Sequence, residues 1–187
     1  GYVGFLFAFT MVIANMWGVP LLSAYYEIPT WKAAIETSMI MVGFIVGSFW
    51  IGWVSRYFSD RLLMMWLATT QFVVVMLFWY IHVSLIVGGI ALFIIGLTAS
   101  GFVLAFNVVK RMVPETSYGV ASGFLNIFFG GMGIIVSPLV GHVYDITKSQ
   151  IAAFVPVLFC SAFAMFFGIL LWKTKIKFLP LKAHGGE

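Results

Sequence analysis

Charge is scarce in this sequence. Of its 187 residues only 9% are charged, against roughly 25% in an ordinary soluble domain. Ten basic and six acidic side chains cannot cover the surface of a water-soluble protein of this size, because contiguous exposed apolar patches drive association. The solvent is expected to be largely lipid. The basic excess is small and holds no Lys/Arg run, which argues against a nucleic-acid partner. Cysteine is nearly absent: the lone Cys160 excludes an intrachain disulfide and a cysteine-rich metal site. His82, His142 and His184 are far apart with no ligand spacing, so neither metal nor cofactor is expected. Phosphate-binding glycine loops and nucleophile elbows are missing too, which leaves an intramembrane enzyme without a plausible acid, base or nucleophile. No signal-peptide pattern precedes the first apolar run, so Gly1 is expected to be a cut or an internal point of a longer chain.

What the sequence has is apolar length. Hydrophobic residues make up 63% and aromatics 18%, and a membrane-crossing helix needs about 20 mainly apolar residues. Dividing the chain at its charge and turn clusters gives six spans, predicted at about 3–26, 33–58, 62–81, 85–109, 120–143 and 152–172, followed by a basic tail at 173–187. A polar loop is expected from Lys110 to Tyr118. The expected fold class is therefore all-α and integral to the membrane, a six-transmembrane-helix bundle. With six spans both chain ends share a side. That side carries Arg56, Arg61, Lys110, Arg111, Lys173, Lys175, Lys177 and Lys182, whereas Lys32 and Lys148 lie opposite. Cytoplasmic loops are enriched in Lys and Arg, so both ends are expected to be cytoplasmic, in a plasma or inner membrane. Tyr25, Tyr26, Trp31, Trp79, Tyr80 and Tyr144 would ring the outer interface, and Trp53, Tyr57, Tyr118 and Trp172 the inner one.

Ionisable groups inside lipid are costly and point to function. The one candidate is Glu36, a turn inside the second span. It reads either as an interfacial carboxylate paired with Lys32 four residues earlier, or as an outer gate or coupling group. Asp145 and His142 read as a solvated helix end. Uncharged polar groups are more informative. In the fifth span Gly119, Ser122, Asn126, Gly130, Gly133, Ser137 and Gly141 recur at steps of three and four, on one stripe. Small-residue pairs such as Gly119-x-x-x-Gly123 and Gly43-x-x-x-Gly47 usually mark close helix packing. The Asn126 amide must find a partner or face a water-filled cavity. Asn15 lies near mid-depth of the first span, before Gly18-Val19-Pro20, and Pro20 should bend that helix. The fourth span carries Thr98, Ser100 and Gly101, and Gly101 weakens it comparably far from its own start. Because the first and fourth spans run in opposite directions, the two triplets of spans could be inverted repeats, whose interrupted helices mark a transport pathway.

These residues resemble the C-terminal six-helix half of the major facilitator superfamily. The link Gly52-Trp53-Val54-Ser55-Arg56-Tyr57-Phe58-Ser59-Asp60-Arg61 is similar to that family's Gly-x-Leu-Ala-Asp-Arg-x-Gly-Arg-Arg loop. Arg56, Tyr57 and Ser59 stand where the signature has Asp, Arg and Gly, which leaves Asp60 as the candidate substitute for the loop aspartate. Pro114-Glu115 followed by Gly119, Gly123, Asn126, Pro138, Gly141 and Asp145 resembles the family's penultimate helix. Trp17-Gly18-Val19-Pro20 resembles the first helix of its second half. The resemblance implies half of a twelve-helix fold built from two inverted three-helix repeats. It implies a secondary transporter, symporter or antiporter, that works by rocker-switch alternating access around a midplane site. The partners implied are the lipid bilayer, an N-terminal six-helix half (covalent, or a second copy) and a small-molecule substrate. By helix and depth, Asn15, Thr98, Gly101 and Asn126 would line the cavity. Pro20, Gly130, Gly133 and Pro138 would bend or gate helices, and Gly52, Ser55, Asp60 and Arg61 carry the loop signature. With no fixed charge at mid-membrane, a small polar or amphipathic metabolite is the expected substrate. The competing reading is a six-helix membrane protein with a structural or regulatory role that moves nothing.

Overall fold

A computed structural model describes residues 1–81 and 84–174, with the side chains of Trp79 and Tyr80 left aside. His82 and the tail residues Lys175, Lys177, Lys182 and His184 lie outside the described residues. Among the described residues, six helices are long and apolar enough to cross a membrane: Tyr2–Tyr26, Thr30–Val54, Asp60–Phe78, Leu85–Lys110, Glu115–Thr147 and Gln150–Lys173. They are called the first to sixth spans below. Successive spans reverse direction, so Gly1, the Ser55–Ser59 turn, the Arg111–Pro114 turn and Thr174 share one face, the terminal face.

Local chemistry explains the ends. The first and fifth spans close at Glu27 and Lys148, the two non-glycine residues with positive φ among the described residues, at 52° and 51°. This left-handed stop turns each amide back onto the helix, Glu27 onto Ser23 and Lys148 onto Tyr144. Ser59 caps the third span, its Oγ accepting from the Leu62 amide at 3.4 Å. The fifth span starts earlier than expected. Residues Glu115–Tyr118 are helical, not loop, because Pro114 tolerates the helix start and Glu115 meets the positive end of the helix dipole. The second span, conversely, stops at Val54 and turns through Ser55–Phe58.

Three spans are interrupted. In the first, the stretch Thr10–Trp17 is π-helical, and the Gly18 amide donates to Ile13, five residues back. The irregularity expected at Pro20 thus sits just upstream of it, where a wider turn relieves the crowding between the proline ring and the preceding carbonyls. In the fourth, α-helix gives way at Ser100–Gly101 to bonds three residues back, Gly101 to Thr98 and Leu104 to Gly101. In the sixth, the helix resets at Phe154 just before Pro156. Pro138, by contrast, lies within an unbroken fifth span.

The second span packs most extensively on the fourth, the third on the sixth, and the first on the fifth and sixth. Smaller seams join the first to the second, the third to the fourth and the fourth to the fifth. Glycine makes the second–fourth seam possible. A Cβ on Gly43 would overlap the Phe93 carbonyl, and one on Gly96 the Ile40 carbonyl. Backbone therefore lies on backbone, the close approach that small residues permit in lipid. The core itself is two stacked apolar clusters. One holds Leu6, Met64, Leu67, Ala68 and Leu104 near the terminal face; the other holds Phe9, Ile13, Ile40, Val75 and Val140 beyond it.

Candidate functional site

The residues singled out from sequence divide by environment. Asn15 is exposed, and its Nδ2 reaches only the Met11 sulfur at 3.6 Å. Asn126 is exposed as well. Both amides therefore look away from the bundle, on open surface of the first and fifth spans. They do not converge. Met16, next to Asn15, touches Ser137 (Oγ to Sδ, 3.0 Å), and Asn126 lies eleven residues before Ser137 on the same unbroken helix. At ~1.5 Å per residue that is about 16 Å along the axis. One small solute cannot bridge them at once.

Thr98 and Gly101 lie elsewhere. Thr98 is 1% exposed, and its hydroxyl donates to the Ile95 carbonyl one turn back at 2.9 Å. Gly101 is buried where a Cβ would sit 2.8 Å from Leu67 and 3.0 Å from the Tyr2 hydroxyl. These two positions shape the interruption of the fourth span and do not reach the open surface. The polar stripe of the fifth span also splits. Ser137 and Gly141 pack on Trp17, and Gly133 on Met11, whereas a Cβ at Gly119, Gly123 or Gly130 would meet nothing within 4 Å. Gly119-x-x-x-Gly123 is therefore not a packing pair in this bundle, unlike Gly43-x-x-x-Gly47. Pro20 is exposed beyond the π-helical stretch.

Trp17 has a structural role that its Trp17-Gly18-Val19-Pro20 context does not signal in the sequence. Its indole Nε1 donates to both the Ser137 carbonyl (3.1 Å) and hydroxyl (3.0 Å), and its ring lies over Gly141, where a Cβ would come within 2.8 Å. This anchor fixes the far half of the fifth span on the first. The lower half is open, and only 17% of the fifth span's most apolar window is buried, against 56% for the first and fourth.

Glu36 is half-buried and its carboxylate lies against Gly89 at the start of the fourth span, where a Cβ would overlap it. The Tyr26 hydroxyl approaches the neighbouring Gly88. The expected Lys32–Glu36 pair is not formed. Lys32 instead stands over the Trp31 ring, 5.4 Å from its centroid, because the start of the second span is exposed and the adjacent indole offers a cation–π surface.

At the terminal face the loop signature acts as a clasp. Asp60 is 7% exposed and pairs with Arg111 across 3.4 Å, joining the start of the third span to the end of the fourth. Arg61 Nη1 donates to the Thr174 carbonyl at 2.7 Å, reaching the end of the sixth. Ser55 only caps its own turn on Gly52, and Gly52 is open. Among the described residues no group of three His, Cys, Asp or Glu side chains comes together as a metal site.

No protein-family model, curated protein or solved structure matches this chain.

Proposed function

We propose that this chain is one six-helix half of a major facilitator type secondary transporter, which carries a small polar or amphipathic solute by alternating access. One observation carries the reading. Exchanging the first three spans for the last three maps most seams onto one another: first–fifth onto fourth–second, first–second onto fourth–fifth, first–sixth onto fourth–third, and third–sixth onto itself, while the fifth–sixth seam has no comparable second–third counterpart. The triplets run in opposite directions, as inverted repeats do. Both the first and the fourth spans are interrupted, the first across its middle third and the fourth about two-thirds of the way along, which fits helices in matching positions of the same scheme. The open surfaces of the second and fifth spans are where an N-terminal half would dock, and Asn15 would look into the space between the halves. Arg56, Arg61, Lys110, Arg111 and Lys173 share the terminal face, which supports a cytoplasmic location for both ends.

The test is solute flux through proteoliposomes holding the whole protein that contains this chain, under imposed proton and sodium gradients, across a panel of uncharged and zwitterionic metabolites. Asn15→Ala is expected to raise KM or lower the maximal rate several-fold. Gradient-driven uptake of no solute, or kinetics untouched by both Asn15→Ala and Asn126→Ala, would overturn the reading in favour of a structural role.

A further inference from the structure

The joint between the two apolar clusters of the core is polar. Gln71 occupies it, fully buried, one turn above Leu67 and Ala68 of one cluster and one turn below Val75 of the other. Its Nε2 donates to the Leu6 carbonyl at 2.9 Å. In an unbroken α-helix that carbonyl belongs to the Thr10 amide, four residues on. Here the Thr10 amide donates instead to Phe7, and the π-helical stretch begins at Thr10. The side chain of the third span thus takes up the carbonyl released where the first span changes winding. Two further groups at the joint, the Gln71 Oε1 and the Thr10 hydroxyl, are buried without a hydrogen-bond partner. Thr10 is one turn beyond Leu6 on the same helix face.

We infer that Gln71 sets the register of the first span, holding Thr10–Trp17 in the π-helical winding through the Leu6 carbonyl. The alternative register is α-helical. In it the Thr10 amide reclaims Leu6, and the Thr10 hydroxyl meets the freed Gln71 amide. The fifth span supplies the ruler. Met11 stands against Gly133, with Cβ atoms 2.9 Å apart were Gly133 to carry one, and Met16 stands against Ser137. Five residues of the first span therefore climb beside four of the fifth, which a π winding allows and an α winding does not. Reverting to α-helix displaces one contact relative to the other by one residue, about 1.5 Å and 100°. Because Asn15 lies inside the π stretch, the register also decides whether its amide faces outward.

The experiment is disulfide cross-linking in the whole protein, on a Cys160→Ala background, with two pairs: Met11→Cys/Gly133→Cys and Met16→Cys/Ser137→Cys. With Gln71 present, both pairs are expected to oxidise readily. In Gln71→Met, which keeps the volume and removes the donor, one pair should slow at least tenfold while the other persists and the size-exclusion profile is unchanged. Equal rates for both pairs with and without Gln71 would overturn the inference, as would failure of both pairs to form when Gln71 is present. Should Gln71→Met not fold, Gln71→Asn keeps a polar amide but is one methylene too short to reach Leu6, and the same split between pairs is expected. The cross-links read register directly, with or without transport.

Discussion

Replacing Gly96 by alanine drives a methyl group into the Ile40 backbone. The added Cβ would overlap the Ile40 carbonyl oxygen and come within 2.7 Å of its carbon and 3.0 Å of its Cα, all of them backbone atoms that cannot rotate away. Restoring ordinary contact requires the second and fourth spans to part locally by about 1 Å. A gap of that size forfeits roughly a quarter to a half of each atom pair's attraction of ~0.1–0.2 kcal/mol. Taking about 40 such pairs around Gly43, Gly47 and Gly96, the loss is roughly 1–4 kcal/mol, in line with the ~1–3 kcal/mol typical of overpacking. Alanine returns up to ~1 kcal/mol as a better helix former. The expected net effect is a destabilisation of up to about 3 kcal/mol, because lipid supplies no hydrophobic force to press the helices back together. In this six-helix chain by itself Gly123→Ala is the matched control, since nothing lies within 4 Å of its added methyl. It should be neutral or slightly stabilising. Reversible denaturant titration in micelles measures both. Equal midpoints for the two variants would refute the claim that the second–fourth seam is held by backbone contact.

Trp17→Phe removes both indole hydrogen bonds to Ser137 while keeping most of the ring, so it should cost about 1–2 kcal/mol by the same titration; Ser137→Ala, which leaves the carbonyl acceptor in place, should cost less. Asp60→Asn breaks the pair with Arg111, half of which is exposed, and is expected to lower stability by about 1 kcal/mol or less; double-mutant analysis with Arg111→Gln should give a coupling that shrinks at high salt. Cys160 is 5% exposed and should resist maleimide in the folded protein yet label fully in denaturant. Rapid labelling under native conditions would contradict its place in the core.

The number of spans and their rough positions are legible because lipid demands long apolar runs, and charge clusters such as Ser59-Asp60-Arg61 interrupt them. Seams are much less legible. Gly43-x-x-x-Gly47 and Gly119-x-x-x-Gly123 look alike in sequence, yet only the first meets another backbone, because a spacing records which residues share a face and not what lies opposite. Thr98 and Asn15 were read alike as polar groups near mid-depth. The threonine satisfies itself on its own helix and can be buried, whereas the longer asparagine amide cannot and points out. Gln71 is not legible in the sequence because a single amide among apolar neighbours has no periodic signal; its partner is a carbonyl of another span, identifiable only once the helices are packed. The winding change at Thr10 was hidden for the same reason, although Pro20 placed a disturbance nearby.

The fifth span runs unbroken for 33 residues, about 50 Å of helix, where a bilayer's hydrocarbon layer is ~30 Å thick. Even when tilted it has length to spare, and its first turn, Glu115-Thr116-Ser117, and its last, Asp145-Ile146-Thr147, are suited to water. The helix is thus a single rod wetted at both ends and gripped by the bundle mainly along its far half. A rod of this kind needs no relay. A twist or tilt imposed in one aqueous compartment arrives in the other within the same piece of secondary structure.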